Sequence, residues 1–236
     1  MKYIFYWGDK PQNFGDVLTR NILDHFGIPF THTNKQREAN IFATGSIARL
    51  AGPGDTVIGS GMIRKGEKAH PDVTWKPVRG PLTRANVIRC GGECPEIYGD
   101  PALLLPLFCA ESEKKHKIGL VPHYQDYNKI KNKYGKKYKV INLVSKDPLS
   151  VAREITSCEK IISSSLHGII CAHAYGIPAA RVSFSKLHGD GSKFEDYCAS
   201  VNVSHGKSTI DDPEYTVGEL PDLEPLISIF KNWRKL

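Results

Sequence analysis

The chain has 236 residues, 40% hydrophobic and 24% charged, an ordinary globular balance with room for one large domain or two small ones. No apolar run nears the roughly 18–20 residues that span a bilayer, and the opening from Met1 to Asp9 is too short in its apolar part for a signal peptide, so a cytoplasmic location is expected. A formal charge of +7 favours anionic partners, but its densest cluster, nine lysines between Lys114 and Lys139, reads equally as a solvated helix face, and no motif points to nucleic acid.

Lys2 to Trp7, aromatic and β-branched, reads as a strand, and Gly8 to Gly15 as a loop. From Asp16 the spacing turns helical, with Leu18, Ile22 and Phe26 on one face and Gly27 as a stop. Asn13-Phe14-Gly15-Asp16 joins them, either as a helix cap or as a loop whose backbone N–H groups meet an anionic or sugar ligand. Two short strands follow, Ala39 to Thr44 and Thr56 to Ile58; the second ends in Gly59-Ser60-Gly61, where a backbone can approach a ligand closely. Val73 to Val78 is a further strand, Arg79 stands at its exit, and Pro81 opens a helix that Gly91 closes. An arginine there is a surface residue or a bidentate clamp for carboxylate or phosphate aimed into the cleft. Ile97 to Pro101 reads as a short strand and turn, and the apolar run Ala102 to Leu107 leads away from it to a polar boundary.

The pattern then starts again. Lys117 to Val121 is a strand ending in Pro122-His123-Tyr124, Asp126 to Tyr134 a basic helix and Lys139 to Leu143 a strand. Asp147-Pro148 caps a helix through Cys158, and the strand Lys160 to Ile162 delivers Ser163-Ser164-Ser165-Leu166-His167-Gly168, followed by a helix that stops at Gly176. A histidine at such a turn is a proton carrier near neutral pH beside a helix N-terminus that favours anions, or an ordinary first-turn residue. Pro178 to Ser183 is one more strand and Lys193 to Val201 a helix; Leu223 to Leu236 closes the chain with Leu226, Ile227 and Phe230 on one side and Lys231, Arg234 and Lys235 near its end. The basic residues suit a helix C-terminus, and an amphipathic foot on an anionic membrane is the sharper alternative. The six cysteines are scattered and read as free thiols, and the histidines show no metal-ligand spacing.

Strands alternating with helices imply an α/β fold with parallel sheets, divided into residues 1–109 and 110–236 across a cleft. With Asn13-Phe14-Gly15-Asp16, Gly59-Ser60-Gly61, Val78-Arg79-Gly80-Pro81, Tyr98-Gly99-Asp100-Pro101, Val121-Pro122-His123-Tyr124 and Ser164-Ser165-Leu166-His167-Gly168 in this order, the sequence resembles the polysaccharide pyruvyltransferase family. The resemblance implies two Rossmann-like domains facing each other as in glycosyltransferases of the B type. It also implies transfer of the enolpyruvyl carbons of phosphoenolpyruvate onto two hydroxyls of a hexose, galactose-type, of an exopolysaccharide, capsule or lipid-linked precursor. The products are a cyclic ketal and phosphate, and no metal or resident cofactor is required. His167 is then the expected general acid or base and Arg79 a donor-binding residue. Ser164, Ser165, Gly168, Gly59, Ser60 and Gly61 are expected around the donor, and Asn13, Asp16, Asp100 and His123 on the acceptor side or assisting proton transfer. Members of the family often carry arginine where this chain has Ser165, and Arg181, Arg84, Arg153 or Lys186 are the candidates to restore that charge. A nucleotide-sugar glycosyltransferase and a non-catalytic glycan-binding protein are the competing readings.

Overall fold

The computed structural model of the chain describes residues 2–6, 12–185, 189–204, 206 and 208–233. Trp7, Lys186, Arg234 and Lys235, invoked above, lie outside the described residues. The first half contains β1 (Lys2–Phe5), α1 (Phe14–His25), β2 (Phe30–Thr33), β3 (Ile41–Phe42), β4 (Thr56–Val57), β5 (Thr74–Trp75) and α2 (Pro81–Arg89). Its five strands form a parallel sheet in the order β2-β1-β3-β4-β5. The second half contains β6 (His116–Val121), α3 (Tyr127–Tyr134), β7 (Lys139–Val140), α4 (Pro148–Thr156), β8 (Cys158–Ser163), α5 (Leu166–Ala174), β9 (Ala179–Arg181), α6 (Ser192–Ser200) and α7 (Glu224–Lys231). Its parallel sheet runs β7-β6-β8-β9.

Both sheets reverse direction beside their first strand, between β1 and β3 and between β6 and β8. Loops diverge at such a switch point and leave a crevice outside the carboxyl ends of the strands, where ligands of α/β proteins bind. The loops that carry Asn13, Gly45 and His123, and the first turn of α5 with His167, all follow these ends.

Local chemistry sets the helix limits. The face of α1 made by Phe14, Val17, Leu18, Ile22 and Leu23 is buried, and Gly27, at φ +63°, lets the Ile28 N–H turn back to the Leu23 carbonyl. Tyr98, read as part of a strand, makes only one parallel bridge, to Val78. Pro101–Leu107 winds as a 3₁₀ helix whose residues Ala102, Leu103, Leu104 and Leu105 are buried, packed on both α1 and α5. One hydrophobic core therefore continues from Ile4 and Leu18 through Leu104 to Ile161, Ile170 and Phe194.

Three further connections tie the halves. Phe14 N–H donates to the Leu143 carbonyl at 2.7 Å, Ser145 N–H donates to the Gln12 carbonyl, and Asn13 bridges Val144. Helix α6 packs on α2. Helix α7 returns to the first half, where Phe230 stacks on Phe26 at 5.4 Å between ring centres. Leu226 and Phe230 are buried. The apolar side weighed as a membrane foot thus faces the protein, because burying it against Phe26 removes it from water. No helix among the described residues is long and apolar enough to cross a membrane.

Candidate functional site

The turn after β8 is built by Ser163, whose hydroxyl lies 2.9 Å from the carbonyls of Val121 and Ser165 and accepts from Ser165 N–H at 3.0 Å. Ser164 accepts from His123 N–H at 2.9 Å, so the loops after β6 and β8 are locked to each other. Ser165 stands at the N-cap of α5, and Leu166, His167 and Gly168 form its first turn, where backbone N–H groups lack intrahelical acceptors. Gly168 serves packing: a Cβ there would lie 2.6 Å from the Ser163 hydroxyl and 2.7 Å from Val121.

His167 is held from the other half. Its ring packs on Gly15, in the first turn of α1, so closely that a Cβ at that position would overlap Nδ1 and Cγ. Two helix N-termini, one from each half, therefore meet at this imidazole, and both carry positive partial charge. The other edge of the ring faces Asp100: Nε2 lies 3.7 Å from Oδ2, with Asp100 wholly buried and His167 8% exposed. Both atoms are buried without a hydrogen-bond partner. The second carboxylate oxygen of Asp100 caps the 3₁₀ helix by accepting from Ala102 N–H at 3.0 Å. A separation of 3.7 Å is too long for a hydrogen bond, and unmet polar atoms are costly inside a protein. The pair is poised for a third group.

Asp16 completes this side. Its Oδ2 accepts from the Asn13 amide at 3.0 Å, and its carboxyl is raised above the ordinary range by burial, against the opposing pull of Asn13, His167 and Lys193. The structure therefore gathers Asn13, Asp16, Asp100 and His167, with Ser165 at the same helix start and His123 one hydrogen bond away through Ser164.

The Gly59-Ser60-Gly61 loop and Arg79 differ from the expectation of a donor cradle. Gly59 N–H donates to the Pro77 carbonyl at 2.5 Å and Gly61 N–H to the Gly45 carbonyl at 3.1 Å, while the buried Ser60 hydroxyl donates to that same carbonyl at 2.8 Å. These groups are spent on carbonyls of the neighbouring loops at Gly45 and Pro77. Arg79, expected as a clamp aimed into the cleft, is wholly buried. Its Nε donates to Asp196 Oδ2 at 3.0 Å, and its terminal nitrogens donate to the Ser46 hydroxyl at 2.8 Å and the Met62 carbonyl at 2.6 Å. A guanidinium taken from water needs such partners, and Asp196, on α6, supplies the countercharge across the two halves.

Two other cations are linked to these residues, Arg181 through Ser163 and Lys193 through Asp16. Arg181, in register with Ser163 at the end of β9, lies with its guanidinium 4.1 Å from the centre of the Phe194 ring. Lys193, in the first turn of α6, feels Arg79, Asp16 and Arg181; burial first, and then the two arginines, bring its amine down to about 8. Sequence reading named Arg181 only as one of four candidates and did not single out Lys193, since one lysine among 32 basic residues carries no local signal. Of the other candidates, Arg84 bonds the Cys94 carbonyl and pairs with Glu96, and Arg153 pairs with Asp147.

The family description "Polysaccharide pyruvyl transferase" matches residues 78–185, a segment that includes Asp100 and His167 and stops short of Asp16 and Lys193. The chain is 32% identical over 215 residues to "Uncharacterized protein L143" of Acanthamoeba polyphaga mimivirus, covering 85% of this chain and 75% of that one. It is 31% identical over 221 residues to "Succinoglycan biosynthesis protein ExoV" of Rhizobium meliloti (strain 1021), covering 85% of this chain and 65% of the relative, a little under two thirds of its length.

Proposed function

The chain belongs to the polysaccharide pyruvyl transferase family, and on that footing we propose that it moves the pyruvyl carbons of phosphoenolpyruvate onto two hydroxyls of a hexose, galactosides first among them, in a surface polysaccharide or its lipid-linked precursor. The observation that carries the proposal is the buried Asp100–His167 pair, 3.7 Å apart, with both facing atoms unpartnered.

In this reading His167, its Nε2 facing the Asp100 carboxylate, delivers a proton to the methylene carbon of the donor. The adjoining carbon becomes oxocarbenium-like, and a sugar hydroxyl adds to it. The bond from that carbon to the phosphate oxygen breaks, and the second hydroxyl closes the ketal. Of the two hydroxyl protons released, one replaces the proton given to the methyl group and the other leaves with phosphate. Asp16, whose carboxyl is raised by burial, is a second proton carrier on the side of Asn13. The donor carries a carboxylate and a phosphate. Lys193, Arg181 and the free N–H groups at the start of α5 neutralise them, in place of the arginine the family often has at Ser165.

General acid–base groups contribute typically about 10²–10⁴-fold in rate. His167→Ala and Asp100→Asn, assayed for phosphate release from phosphoenolpyruvate in the presence of a galactoside, test the assignment. Retention of near wild-type turnover by either variant would remove that residue from the chemistry.

A further inference from the structure

A cavity of about 460 Å³ opens beside the buried Arg79–Asp196 pair, within the range of small-molecule sites. One wall is the face of α2 that carries Leu82, Ala85 and Arg89, spaced three and four residues apart. A second wall is the loop from Met62 to Gly66, and a third the start of α6 at Ser192. The loop follows β4 and α6 follows β9, so the cavity lies at the carboxyl ends of both sheets, as His167 does. It is nevertheless separate from the Asp100–His167 pair. The link runs from Asp196 through Arg79 to Ser46, beside Gly45, against which Asp16 lies at 3.8 Å from a Cβ position.

The lining has two characters. Arg64, Lys65 and Arg89 are exposed cations, and none forms an ion pair among the described residues. Arg89 instead holds the Asn86 side-chain carbonyl oxygen at 2.7 Å and the Gly66 carbonyl at 3.2 Å, which fixes its guanidinium at the rim. Among the described residues of the wall the one carboxylate, Asp196, is committed to Arg79 and to the Thr83 hydroxyl at 2.7 Å, while beside the rim Asp190 accepts from Lys65 N–H at 2.9 Å and from the Ser192 hydroxyl at 2.6 Å. Beside the cations the lining includes aliphatic side chains: Met62, which is buried, and Ala85 and Leu82, which are exposed. Among the described residues no aromatic side chain lines the cavity for a nucleobase to stack on.

We infer that this cavity binds an alkyl phosphoester, its phosphate groups on Arg64, Lys65 and Arg89 and its alkyl chain on Leu82, Met62 and Ala85, as the remote end of the acceptor whose sugar reaches His167. The inference rests on the proposed reaction only in calling the ligand an acceptor; binding itself is separate. Interactions with a remote, unreacting part of a substrate hold and orient the part that reacts.

Titration calorimetry with octyl diphosphate, octyl galactoside and uridine diphosphate tests it on the wild-type protein, on Arg64→Ala/Lys65→Ala and on Leu82→Trp, which fills the mouth. These three side chains are exposed, so the variants keep the core. Octyl diphosphate is expected to bind in a salt-dependent way, and each variant to weaken it by about tenfold or more, the worth of one or two charged hydrogen bonds. In turnover, the preference for galactosyl octyl diphosphate over octyl galactoside, as a ratio of kcat/KM values, falls by about the same factor in the double variant. Absence of octyl diphosphate binding, binding unchanged in both variants, or tighter binding of uridine diphosphate would overturn the inference. Variant-sensitive binding without pyruvyl transfer to any acceptor upholds the cavity as a phosphoester site and removes the reaction. Transfer with an unchanged preference does the opposite.

Discussion

His167 and Gly15 lie on helices from different halves of the chain, yet the imidazole sits where a side chain on Gly15 would be. The bond from Phe14 N–H to the Leu143 carbonyl and the bridge from Asn13 to Val144 hold that glycine in place from the second half. The imidazole is thus oriented by both halves at once.

Gly15→Ala therefore displaces the ring. A shift of about 1 Å in a catalytic group can cost about 10²-fold, so kcat is expected to fall by at least that much. Circular dichroism should still report a folded protein, and a Gly15→Ala enzyme with wild-type kcat would show that the ring position is not critical.

Arg79 and Asp196 form a buried pair, and removing one partner strands the other charge. Arg79→Ala is expected to lower unfolding stability by about 3–5 kcal/mol in urea titrations, and Arg79→Met combined with Asp196→Leu to cost less than the single change. Equal or greater loss in the double variant would mean that the hydrogen bonds to Ser46 and Met62, not the stranded charge, dominate.

Lys193 carries its charge below its depressed value of about 8 and loses it above. The free-enzyme parameter kcat/KM for phosphoenolpyruvate should accordingly fall as pH rises through that value, and Lys193→Arg should carry activity to higher pH. A profile identical in both enzymes would exclude the lysine from donor binding.

His173 is buried on α5, its Nε2 3.1 Å from the Thr216 carbonyl and its Nδ1 3.1 Å from the Tyr197 hydroxyl. The carbonyl can only accept, so Nε2 carries the proton and Nδ1 accepts from Tyr197. Burial lowers this imidazole to about 4, below the roughly 6.5 of an unfolded histidine. Between those values the unfolded chain binds the extra proton, so stability falls as pH drops through the window, by roughly 3 kcal/mol in all. Urea midpoints at pH 7 and 5 should differ less in His173→Gln than in the wild type.

The alternation of strands and helices was legible because apolar runs and glycine stops are local signals. Strand β2 was missed because Phe30–Thr33 is short and only Thr33 is buried. That the run Pro101–Leu107 winds as a buried 3₁₀ helix was not legible, because its burial is provided by α1 and α5, far away in sequence. The same limit applies to the site. Asn13, Asp16, Asp100 and His167 sit in short motifs that could be noticed, whereas the bond from Arg79 to Asp196 spans 117 positions and redirects an arginine that looked free for a ligand.

The most direct measurement is phosphate release from phosphoenolpyruvate by the purified protein with a panel of galactosides, glucosides and lipid-linked sugars, with mass analysis of the acceptor and with Asp100→Asn and His167→Ala in parallel. The account predicts acceptor-dependent release and a product heavier by one pyruvate less one water, both lost in the variants. Release that persists in both variants, or none with any acceptor while a nucleotide sugar is bound, would contradict it.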